Sequence, residues 1–74
     1  MANHAEFDAF VETIAKLRAP DGCLWDREQT HVSISHNMIE EAYEAVCAIE
    51  EEDVAHLREE LGDVLLQVVF HAQI

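Results

Sequence analysis

Apolar residues recur at helical spacing along almost the whole chain. Phe7, Phe10, Val11, Ile14 and Leu17 stand three or four positions apart, the stripe of an amphipathic helix, which predicts a helix from about Glu6 to Arg18. Ala19-Pro20-Asp21-Gly22 ends it, because Pro and Gly break the helical ladder. Cys23 to His31, which includes the only Trp, Trp25, reads as a loop or a short turn of helix. A second stripe, Ile34, Met38, Ile39, Ala42, Tyr43, Val46 and Ile49, predicts a helix that begins between Thr30 and Ser35. Thr30, Ser33 and Ser35 are all N-cap residue types. Beyond the acidic connection Glu50-Glu51-Glu52-Asp53, a third stripe of Val54, Leu57, Leu61, Val64, Leu65, Val68 and Val69 runs to the C-terminus, with Asp53 as its cap. Gly62 inside this helix costs about 1 kcal/mol relative to Ala; a close approach by another helix is the reason expected. There is no strand pattern, internal repeat or low-complexity tract.

The expected fold class is therefore all-α, one domain over residues 1–74. The second and third helices are joined by only a few residues, so they should pair as an antiparallel hairpin, with the N-terminal helix added to it. Val64, Leu65, Val68, Val69 and Phe70 span more than one stripe. A four-helix-type bundle completed by oligomerisation would cover them.

Composition narrows the class. At 74 residues the chain is near the lower limit for a self-sufficient core, yet half of it is hydrophobic, so it folds. With 16 Asp and Glu against 4 Lys and Arg, the formal net charge is −12. That excludes binding of DNA or RNA through phosphate neutralisation, but it leaves open a nucleotide substrate whose charge is met by metal ions. The absence of a signal sequence or an apolar run of transmembrane length predicts a cytoplasmic protein with Cys23 and Cys47 reduced and no membrane partner.

Within this acidity lies an ordered pattern. Glu40-Glu41-x-x-Glu44 and Glu60-x-x-Asp63 each place carboxylates three or four positions apart, on one helical face where like charges repel. Glu44 lies about two turns before the end of its helix and Glu60 about two turns into the next, so antiparallel pairing brings both sets to the same height. A solvated acidic face is the ordinary reading of such charge; alignment across a hairpin favours a site for Mg²⁺ or Mn²⁺, which take hard oxygen ligands. His4, His36, His56 and His71 show no zinc-ligand spacing. A di-iron bundle would want Glu-x-x-His pairs, and neither acidic pair has His at that place.

Lys16 to Cys23, Trp25-Asp26-Arg27-Glu28-Gln29-Thr30-His31, Glu40-Glu41-Ala42-Tyr43-Glu44 and Arg58-Glu59-Glu60-Leu61-Gly62-Asp63 together resemble the MazG nucleoside triphosphate pyrophosphohydrolases, over about Phe7 to Ile74. The resemblance implies Glu41, Glu44, Glu60 and Asp63 as Mg²⁺ ligands (Mn²⁺ being the alternative), Glu40 with Glu41 as the carboxylates that orient or activate water, and a homodimer or dimer of dimers. It also implies cleavage of nucleoside triphosphates, ribo or deoxy, to monophosphate and pyrophosphate. Lys16, Arg18, Trp25 and His31 are the candidate substrate-binding residues: Trp25 to stack on a base or plug the loop, His31 to bond substrate or hold the loop, Lys16 and Arg18 to meet phosphate or to satisfy the helix dipole.

Two departures from the family pattern stand out. Leu24 occupies the place of the usual Pro in Cys-Pro-Trp-Asp. The family also continues past His71-Ala72-Gln73-Ile74 into a helical region with basic residues, so the domain reads as short at its C-terminus. Two other functions fit the same residues: a non-catalytic helical dimerisation module or truncated domain that retains the metal motif, and a related all-α pyrophosphatase acting on another nucleotide pyrophosphate.

Overall fold

A computed structural model describes residues 4–74; residues 1–3 of the expected domain lie outside the described residues. Four helices follow one another: α1 (Ala5–Leu17), α2 (Leu24–Glu28), α3 (Ser35–Glu50) and α4 (Val54–Gln73). No strand occurs among the described residues. The all-α class holds, and the segment read as loop or short turn contains α2. No helix here is long and apolar enough to cross a membrane.

α3 and α4 form the hairpin, and α1 lies against α4. A Schellman turn reverses the chain between them: Asp53 N donates to Ala48 O at 3.1 Å and Glu52 N to Ile49 O at 3.1 Å. Glu52 occupies the left-handed position with φ 56°, where Gly is the usual residue. Asp53 caps α4 as expected, its Oδ1 accepting from His56 N at 3.0 Å. α3 starts at Ser35, within the expected range, but its cap differs from the sequence reading. Its N-cap is Ile34, without a side-chain cap bond, because Thr30 and Ser33 satisfy each other in the preceding turn and Ser35 Oγ donates to Val32 O.

The core sits at one end of the hairpin, where Ile14, Ile34, Val69 and Phe70 are buried together and Phe10, Val11, Leu17 and Leu66 pack on them. Gly22 permits the α1–α2 turn. A Cβ there would lie 2.3 Å from Lys16 O, and the next amide, Cys23 N, bonds Leu17 O at 2.8 Å. Leu24 is the first residue of α2, the position where Pro is also accommodated, so its substitution leaves the loop intact. Arg18 ties α2 down: Nη1 donates to Asp26 O and to Gln29 O, both at 2.9 Å, and the guanidinium lies 5.7 Å from the Phe70 ring centre.

Two sequence expectations change. The residues of α3 buried on α4 are the small Ala45 and Ala48, while Ile39, Tyr43, Val46 and Ile49 of the apolar stripe are exposed. The hairpin closes on its narrow face and leaves the greasy one outward. Likewise, nothing lies within 4 Å of a Cβ built on Gly62, so the close helix approach expected there is not made by the described residues.

Candidate metal centre

The acidic pattern converges. One carboxylate oxygen from each of Glu41, Glu60 and Asp63 lies within 4.8 Å of the others. Glu41 is supplied by α3 and the other pair by α4, with Glu60 and Asp63 on one face by their i, i+3 spacing. Glu60 is buried at 7% exposure, rare for a carboxylate unless paired. Glu44, one turn after Glu41 on α3, is exposed, has Glu60 within hydrogen-bonding reach and feels its charge and that of Glu41. Those contacts, the hydrogen bond first, raise its pKa above 4.5. Glu41 is raised as well, first by removal from water and then by the charges of Asp63, Glu60 and Glu40.

Such a cluster is strained without a counter-charge. Glu41 Oε2 and Glu60 Oε2 are buried with no hydrogen-bond partner, and unmet buried carboxylate oxygens are costly. A hard divalent cation answers both the repulsion and the missing partners, and an all-oxygen donor set suits Mg²⁺ or Mn²⁺. The residues present fit the ion.

His56 is the member that sequence reasoning missed. Its Nε2 lies 2.9 Å from Glu60 Oε1, one turn away on α4, and this contact raises the imidazole pKa against the opposing effect of desolvation. The i, i+4 spacing of His56 and Glu60 was the available signal. A hydrogen bond of this kind fixes the orientation of a metal-binding carboxylate.

The remaining candidates lie on α1, α2, α3 and the connections between them. Glu40 is exposed on α3 beside Glu41. Lys16 is exposed in the last turn of α1. Arg18 is engaged with the carbonyls of α2. Trp25, 59% exposed, stands on a cavity that also reaches Ile14, Asn37, Gln67 and Phe70. His31 stacks on His71 with ring centres 5.1 Å apart, and their Nδ1 atoms are 2.8 Å from each other. Both thiols are free, Cys23 exposed and Cys47 half-buried.

Residues 29–74 match the family model of the MazG nucleotide pyrophosphohydrolase domain, which takes in α3, α4 and the whole cluster. The nucleoside triphosphate pyrophosphohydrolase/pyrophosphatase MazG of Thermotoga maritima is 57% identical over 92% of this chain and 27% of its own length. The nucleoside triphosphate pyrophosphohydrolase of Escherichia coli K12 is 48% identical over 92% of this chain and 26% of its own. An uncharacterized Bacillus subtilis protein, YabN, is 59% identical over 93% of this chain and 14% of its own. The chain thus spans about a quarter or less of the length of these relatives. It belongs to the family of MazG nucleotide pyrophosphohydrolase domains.

Proposed function

We propose that this chain carries the catalytic centre of a Mg²⁺-dependent nucleoside triphosphate pyrophosphohydrolase, which converts an NTP or dNTP and water to the monophosphate and pyrophosphate. The observation that carries the reading is the convergence of Glu41, Glu60 and Asp63 oxygens from two helices within 4.8 Å, in a domain whose named relatives are nucleoside triphosphate pyrophosphohydrolases. Glu41, Glu44, Glu60 and Asp63 hold the ion, with Mn²⁺ a substitute for Mg²⁺. When bound, the ion supplies charge neutralisation for the phosphates and acidifies water.

The chain's own carboxylates do the rest. Glu40 or Glu41 accepts the proton of the attacking water, the new bond forms to the α-phosphorus, and the bond from that phosphorus to the bridging oxygen breaks. Pyrophosphate leaves with that oxygen. Lys16, exposed beside the α1–α2 turn, meets the triphosphate; Trp25 and His31 flank the nucleoside. Arg18 acts through α2, holding the segment that carries Trp25. The outward apolar residues Ile39, Tyr43, Val46 and Ile49 of α3, with Leu61, Leu65 and Val68 of α4, form the contact of a homodimer or dimer of dimers.

The test is hydrolysis of a panel of NTPs and dNTPs with and without Mg²⁺, with products separated by ion exchange. Monophosphate and pyrophosphate, formed only with metal, is the expected result. Diphosphate and orthophosphate, or turnover indifferent to chelation, would overturn the reading.

A further inference from the structure

The two oxygens of Glu60, the buried member of the cluster, have different surroundings. Oε1 lies 2.9 Å from His56 Nε2. Oε2 is buried with no hydrogen-bond partner, as is Glu41 Oε2 on the facing helix. An ionised carboxylate only accepts, so the imidazole carries its proton on Nε2 and donates to Oε1.

His56 stands one turn before Glu60 on α4, and Asp63 almost one turn after it. Imidazole, carboxylate and second ligand therefore follow one another along a single helical face. Packing does not account for the ring. Its side chain is 40% exposed against 9% for Glu60, and it lies outside the core of Ile14, Ile34, Val69 and Phe70. The bond that caps α4 uses the backbone N of His56 and not the imidazole.

A carboxylate with both oxygens free can chelate a cation; one with Oε1 already engaged offers a single oxygen. Ca²⁺ takes about six to eight oxygens at roughly 2.3–2.6 Å and makes use of chelating carboxylates. Mg²⁺ demands a near-octahedral set at roughly 2.0–2.1 Å and keeps several of its waters, so single oxygens suit it. Mn²⁺ accepts the same kind of oxygen set. All three ions carry the same charge, so the acidity of the cluster does not separate them. Ligand number and rigidity do.

We infer that His56 is a specificity-determining residue for the metal: by occupying Glu60 Oε1 it leaves Oε2 alone for the ion, which favours Mg²⁺ and Mn²⁺ over Ca²⁺. The inference rests on the reading of Glu41, Glu44, Glu60 and Asp63 as ligands of a divalent cation. His56 acts through Glu60, as a positioning residue whose bond holds the ligand in one orientation.

The experiment reads metal binding without turnover, from the EPR signal of free Mn²⁺ with Mg²⁺ or Ca²⁺ as competitor, at one fixed pH. Wild type is compared with His56→Leu and His56→Ala, which lack a donor, and with His56→Gln, whose amide N–H reaches a carboxylate one turn away. Wild type should bind Mn²⁺ and Mg²⁺ and discriminate against Ca²⁺. In His56→Leu the Kd for Mg²⁺ should rise by about tenfold or more while that for Ca²⁺ stays or falls. The ratio of the two constants then shifts toward Ca²⁺ by the same factor, and His56→Gln should bring it back to the wild-type value. A merely structural His56 would weaken both ions alike and leave the ratio where it was.

An unchanged ratio in whichever of His56→Leu and His56→Ala keeps its helical circular dichroism overturns the inference, and so does loss of the helix in both. Failure of His56→Gln to restore the ratio would assign the effect to the ring's bulk and overturn it as well. Wild type that holds Ca²⁺ as tightly as Mg²⁺ sinks the selectivity alone. Wild type that binds none of the three ions sinks the metal reading together with it.

Discussion

The two ends of the α3–α4 pair are built on opposite terms. Near the start of α3 and the end of α4, Ile34, Val69 and Phe70 bury themselves against Ile14 of α1. Two turns along, the same helices face each other through Glu41, Glu60 and Asp63, with carboxylate oxygens that lack partners. One end contributes burial that holds the fold; the other gives up burial and accepts repulsion. A chain this small has little stability to spare, so an acidic layer inside its main helix contact has to be supported by the apolar layer beside it. The comparison teaches that the core is placed where it can hold the carboxylates in register.

The apolar end should fail first and hardest. Phe70→Ala removes a ring that is only 7% exposed and should cost about 3–5 kcal/mol in urea unfolding, most of the stability available to a domain of this size. A loss under about 1 kcal/mol would mean that Phe70 does not anchor the pair. The acidic end should behave in the reverse way. Glu41→Gln should lower pyrophosphate release by about 100-fold or more and leave the helical circular dichroism unchanged; an unfolded variant would make Glu41 structural and erase the contrast.

Acid distinguishes the two ends more finely. Glu44 has its pKa raised by the hydrogen bond and charge of Glu60, so the folded state favours its protonated form. That contribution is present below the ordinary value of 4.5 and is lost as pH rises through the raised folded value. In chelator at neutral pH, Glu44→Gln should therefore melt above wild type, and the gap should close as pH falls into the carboxylate range. Saturating Mg²⁺ should invert the order, because an ion that binds only the folded state stabilises the chain with the complete ligand set more. An unchanged order with Mg²⁺ would remove Glu44 from the site.

What was legible in the sequence follows from what helical periodicity encodes. The ends of α1, the Asp53 cap and the meeting of Glu41 with Glu60 and Asp63 depend on local spacing and a short connection, and all are readable along one dimension. The facing side of α3 was not. Its apolar stripe of Ile39, Tyr43, Val46 and Ile49 promises burial, yet Ala45 and Ala48 meet α4, because small residues let two helices close on the carboxylate face. Periodicity says that a face is apolar, not which neighbour covers it. The His31–His71 stack joins residues forty apart, a pairing that only the folded chain defines.

Backbone positions give the smaller tests, at the turn that connects the two helices and beside the carboxylates. Glu52 holds a left-handed conformation at φ 56°, so Glu52→Gly should stabilise the chain by about 1 kcal/mol, and an unchanged melt would mean that the turn is unstrained. Gly62 presents the opposite case, a helical glycine next to Asp63 with nothing within 4 Å of an added Cβ. On the single chain, Gly62→Ala should gain about 0.5–1 kcal/mol, a rise of roughly 2–8 °C in the melting temperature for a domain of this length. In the proposed homo-oligomer the same substitution reports on the partner. If Leu61, Leu65 and Val68 meet a second copy there, the added methyl falls into a helix contact. The melting temperature should then rise at low protein concentration and fall at high concentration, where association dominates. A rise of equal size at every concentration would show that nothing packs on Gly62, and the contact would have to move to the Tyr43 and Val46 face of α3.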